Sequence, residues 1–143
     1  MPTEQERTID LVVRLIELTQ QNSLTWQSGE ARASLNRDED LIVESYFTAK
    51  YKEKIFAIYR VQFKIKTELP YAPSSLTAMY LSGLFGKKTP QWETRIFLEL
   101  VDDRGKHLWT FPDVSGLHDL LEAVKYQVAG VKDLLDDILG SSN

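Results

Sequence analysis

The chain has two histidines, His107 and His118, and between them lie Pro112, Asp113 and Ser115. The hydropathy pattern puts His107 on a strand and His118 in the first turn of the helix that follows. A tight strand-to-helix turn would bring both imidazoles near Asp113. With a carboxylate from Asp102 or Asp119, such a group could hold a divalent metal or act as an acid–base pair, the chemistry of a small metal-dependent hydrolase. The spacing matches no metal-binding signature, however. The plainer expectation is two surface histidines, no catalytic residue, no metal and no cofactor.

Other chemistries fall away sooner. There is no cysteine, which removes disulfides, thiolate metal sites and a cysteine nucleophile. Asp102 and Asp103 suit a tight turn. A calcium loop would need more acids at alternating positions and a later glutamate, which Gly105-Lys106-His107 does not provide. Gly83 and Gly86, with Lys87 and Lys88, lack the full phosphate-loop and dinucleotide patterns. No serine has the setting of a nucleophile elbow.

What stands out instead is the stretch from Thr67 to Trp92. It holds three prolines, two glycines and eleven apolar residues but only three charges. Loops longer than about 12–15 residues are usually functional or disordered, and this one is too apolar for disorder. Tyr71, Met79, Tyr80, Leu84, Phe85 and Trp92 are the candidate partner-binding residues, since large apolar side chains at a surface mark interaction sites. The alternative is that they complete the core.

Charge is unevenly spread. The formal net charge is −4 and the isoelectric point about 5.2, which disfavours general nucleic-acid binding. Six basic residues and one acid nevertheless fall between Lys50 and Lys66, and six acids with two lysines lie from Asp113 onward. Arg60, Lys64 and Lys66 form a candidate basic face. With nearby tyrosines, that face is a weaker candidate for single-stranded nucleic acid. The acidic, polar beginning "MPTEQERTID" argues against a secretory signal, and no run reaches the roughly 20 apolar residues of a membrane helix. A cytoplasmic protein is the expectation.

The elements that must position these residues are well marked. Thr3 and Glu6 have capping-box spacing. Ile9, Val12, Val13 and Ile16, widened by Leu11, Leu15 and Leu18, make a helical stripe, with Asp10 and Arg14 expected to pair on the other side. Leu24 and Trp26 predict a short extended segment that buries both. Leu41, Val43, Phe47, Ala49 and Tyr51 predict one strand face. Ile55, Ala57, Tyr59, Val61, Phe63 and Ile65 predict another, with Arg60, Gln62, Lys64 and Lys66 pointing to solvent. "KEK" joins these strands in a hairpin. A second hairpin turns at Asp102–Gly105, with Ile96, Leu98 and Leu100 inward, Glu99 outward, and His107, Trp109 and Phe111 sharing a face. A last helix is expected from an N-cap at Ser115 to Gly140. Leu117, Leu121, Val124, Val128, Val131, Leu135 and Ile138 form its stripe.

The fold expected is one α+β domain over 1–143. It is a two-layer antiparallel sheet of two hairpins and four to five strands, with the N- and C-terminal helices packed on one face. A short third helix is possible in the middle, within "SSLTAMYLSG". This layout, with the size and acidity, resembles that of type III secretion chaperones, which are small acidic dimers. The lack of convergent catalytic groups and the apolar stretch 67–92 point to a non-enzymatic binding module, adaptor- or chaperone-like and homodimeric, that docks another protein or itself through that stretch.

Overall fold

The computed structural model describes residues 2–31, 41–65 and 91–140. Helix α1 (Glu4–Gln20) leads into a short strand β1 (Trp26–Ser28). Strands β2 (Leu41–Tyr51), β3 (Lys54–Ile65), β4 (Gln91–Val101) and β5 (His107–Thr110) follow, then helices α2 (Leu117–Val128) and α3 (Val131–Leu139). The strands form one antiparallel sheet in the order β1-β2-β3-β4-β5. This is the expected α+β layout. The central third helix, if present, lies outside the described residues.

Local signals set α1. The Thr3 hydroxyl accepts the Glu6 N–H, and the Glu6 carboxylate accepts the Thr3 N–H, so the capping box forms. The buried stripe is Thr8, Val12, Leu15 and Thr19, while Ile9 and Val13 are exposed, one step round the helix from the expected face. Two threonines can line a core here because each hydroxyl donates to the carbonyl four residues back, Glu4 and Leu15. Arg14 pairs with Glu17 at 2.9 Å rather than with Asp10.

The sheet buries apolar side chains on both faces, and this corrects the one-sided expectation. Phe56 and Ile58 of β3, Leu98 of β4, Ala49 of β2 and Trp26 of β1 pack with Val12, Leu15, Leu117, Leu120, Leu121 and Val124 of the helices. The opposite face carries Tyr46, Ala57, Tyr59, Val61 and Val101, also buried. A central strand flanked on both sides meets apolar neighbours above and below, so its sequence is apolar at consecutive positions. Ile55, Ala57, Tyr59 and Val61 therefore lie on the face away from the described helices. Arg60, Gln62 and Lys64 continue the helix-side face, beyond the helices' reach.

Strand β2 does not keep its predicted face either. A bulge between Val43 and Ser45 shifts the register, so Leu41 and Val43 join one cluster while Phe47 and Ala49 join the other. Tyr51, expected inward, is exposed beside the turn, with the Lys52 ammonium 5.6 Å from its ring centre. The second hairpin turns as expected. Gly105 has φ +81°, and the Asp102 carboxylate accepts the Arg104 and Lys106 N–H groups at 2.9 and 2.8 Å. A second irregularity between Leu100 and Val101 pairs Trp109 with Leu100 but His107 with Val101, so these two side chains take opposite faces.

The C-terminal helix is two helices. Gly130, at φ +66°, ends α2 and begins α3; the left-handed conformation breaks the continuous helix that the heptad pattern predicts. The N-cap of α2 is Gly116 rather than Ser115, without a side-chain cap. The apolar stripe is buried through Val124, but α3 buries none of its residues.

Candidate functional site

The three groups of the hydrolase reading do not form a centre. Asp113 and His118 are both exposed, the first in the β5–α2 connection and the second in the first turn of α2. His107 Nε2 lies 2.6 Å from Thr110 Oγ1, within its own strand. Among the described residues no group of three or more His, Asp or Glu is placed to hold a metal ion.

His107 does approach a carboxylate that the sequence pattern assigns to solvent. Glu99 is 1% exposed, and its Oε2 lies 3.9 Å from His107 Nε2. The Tyr59 hydroxyl donates to the same oxygen at 3.1 Å. The Tyr59 ring lies between Tyr46 and Phe97, each 5.5 Å away between centroids, so one aromatic row crosses β2, β3 and β4. Strict alternation with Leu98 and Leu100 hides this site in the sequence. The signal that could have revealed it is β3, whose apolar residues at both parities require that its neighbours be buried on both faces.

The basic face is only partly available. Arg60 and Gln62 both donate to the Glu44 carboxylate, which the bulge in β2 projects toward them. Lys64 is exposed at the end of β3, and Lys66 lies outside the described residues. Tyr46 and Tyr59 are buried on the other face, so no tyrosine of this row stacks beside Arg60 and Lys64.

Of the candidate partner-binding residues, Tyr71, Met79, Tyr80, Leu84 and Phe85 lie outside the described residues. Trp92 is described: it is 41% exposed on the helix-side face, opposite Lys64.

A surface that the sequence pattern assigns to the core is α3. Leu134, Leu135, Ile138 and Leu139 are all exposed, Ile138 at 68%. Asp133, Asp136 and Asp137 share this helix. Among the described elements α3 contacts chiefly α2. Where α3 leaves α2, a cleft of about 310 Å³ opens between Thr19, Asn22, Tyr126 and Asp133. Gln127 forms part of its wall. Its amide nitrogen donates to the Leu24 and Thr19 carbonyls at 2.8 and 3.0 Å, with Asn22 Oδ1 at 3.3 Å. Its oxygen accepts the Trp26 N–H at 2.7 Å. This amide joins the end of α1 to β1, which is a structural duty.

No helix among the described residues is long and apolar enough to cross a membrane. Comparison with family models, curated proteins and solved structures yields no match, so function is argued from this chain's own residues.

Proposed function

We propose that the protein is a non-enzymatic binding module whose partner is another protein chain. The observation that carries this reading is α3, a helix with no buried residue and four large exposed aliphatic side chains. Exposed apolar surface on a helix is costly in water and is relieved by docking into an apolar groove. The three aspartates beside the ridge favour a groove with a basic rim. Residues 67–92, the docking segment expected from sequence, belong to the same proposal through the exposed Trp92.

The test is a Leu135→Lys/Ile138→Lys variant. Its melting temperature stays within about 2 °C of the parent, since exposed substitutions away from packed features change stability little. A protein retained by the parent chain, identified by mass spectrometry and shown to bind when purified, is lost from the variant. A large fall in melting temperature would make the ridge part of the fold, and equal retention would remove α3 as the docking surface.

A further inference from the structure

Strand β4 is paired by β3 along its whole length, from Gln91 to Val101. On its other side β5 pairs only with Glu99, Leu100 and Val101, and the Phe111 N–H then reaches the Leu98 carbonyl. Pro112 has no N–H, so the pairing cannot continue. Among the described residues, nothing pairs the outer edge of β4 from Trp92 to Phe97. The outward carbonyl of Leu98 fixes the alternation: both backbone groups of Ile96, Thr94 and Trp92 also point outward.

We propose that this edge pairs with the same edge of a second copy of the chain. The two β4 strands run antiparallel about a two-fold axis at Thr94, and the two sheets become one. The sequence of the edge is complementary to itself in this register. Thr94 faces Thr94 of the partner subunit. On the helix-side face Trp92 meets Ile96 of the partner subunit. On the other face Glu93 meets Arg95 of the partner subunit, and the symmetry repeats both contacts. Roughly six backbone hydrogen bonds close, because every outward residue meets an outward residue.

Charge selects this register over its neighbours. Sliding by one pairing step puts Glu93 opposite Glu93 of the partner subunit, or Arg95 opposite Arg95 of the partner subunit, and like charges directly opposite are destabilising. Slipping to the other parity sets outward backbone groups against inward ones. Charged side chains on an edge also deter indiscriminate pairing; here the same two charges permit one symmetric partner. Glu93, Thr94 and Arg95 are exposed within one chain, and Trp92 is 41% exposed. All are therefore accessible to this contact, which an isologous dimer uses twice; the Arg95 guanidinium, 5.8 Å from the Phe63 ring centre, is held on the Glu93 face of the sheet. The contact does not involve α3, so it stands or falls apart from the partner-docking helix.

Sedimentation equilibrium of the full chain tests it. The expected mass is twice the 16.4 kDa of one chain, falling toward one chain on dilution. Glu93→Arg or Arg95→Glu alone places like charges opposite each other twice and weakens the dimer by roughly tenfold. The Glu93→Arg/Arg95→Glu double variant restores it. Thr94→Pro removes an outward N–H that makes no bond within the chain, and gives a folded monomer. A single-chain mass at all concentrations, unchanged association in the single swaps, or failure of the double swap to recover association would overturn the proposal. So would a Leu135→Lys/Ile138→Lys variant that loses the dimer, because the contact would then lie on α3.

Discussion

The hydroxyl of Tyr59 donates to Glu99 at 3.1 Å, from one central strand to the next, on the sheet face away from the described helices. Glu99 is 1% exposed there, among Tyr46, Ala57, Val61 and Val101. A carboxylate so placed depends on its hydrogen bonds.

Removing the donor should therefore cost more than one surface bond. Tyr59→Phe keeps the ring between Tyr46 and Phe97 and deletes only the hydroxyl. The expected loss is about 1–3 kcal/mol by urea unfolding. Glu99→Gln leaves an acceptor for Tyr59 and should lose less than Glu99→Ala. A Tyr59→Phe variant as stable as the parent would mean that the hydroxyl contributes nothing to holding Glu99.

Gln127 offers a second measurement. Its amide joins the Leu24 and Thr19 carbonyls to the Trp26 N–H across a separation of about a hundred residues in sequence. Gln127→Ala strands these groups and should cost about 1–3 kcal/mol. Exchange of the Trp26 amide hydrogen should quicken at the same time. Unchanged exchange would show that another group satisfies that N–H.

Gly130 tests the break between α2 and α3. A Cβ there would meet nothing within 4 Å, but the residue sits at φ +66°. Gly130→Ala should thus cost about 1 kcal/mol through backbone strain alone, and Gly130→Asn less, because asparagine tolerates this conformation. Equal melting temperatures for parent and Gly130→Ala would mean that the chain relaxes to a continuous helix.

What could be read from the sequence followed the range of each signal. The capping box at Thr3 and Glu6, the Leu24–Trp26 pair, both hairpins and the Gly105 turn are local, and all are present. Face assignments failed where a strand is apolar at both parities. Ile55, Ala57, Tyr59 and Val61 gave a convincing alternation, yet Phe56 and Ile58 are the residues that meet the helices. The bulge in β2 parted Leu41 and Val43 from Phe47 and Ala49, and the offset in β5 parted His107 from Trp109, because one extra residue inverts every later side chain. Tyr51 keeps the face of Ala49 and is exposed because it ends its strand beside the turn. The heptad spacing carried the last helix straight through Gly130, because periodicity does not register one residue's φ. The edge of β4 left unpaired among the described residues was not legible at all, since it depends on how far β5 runs.

The central claim is that this chain works by meeting other chains, the first of them a second copy of itself at β4. Because the sequence has no cysteine, a single introduced thiol reports on one position. Directly opposed residues of a hydrogen-bonded antiparallel pair lie about 5.5 Å apart between Cα atoms, within disulfide reach. Mild oxidation of a Thr94→Cys variant should give a reducible covalent dimer as the main product. A Lys52→Cys control, at the exposed β2–β3 turn, should stay a single chain. A Thr94→Cys variant that cross-links no faster than Lys52→Cys would contradict the account.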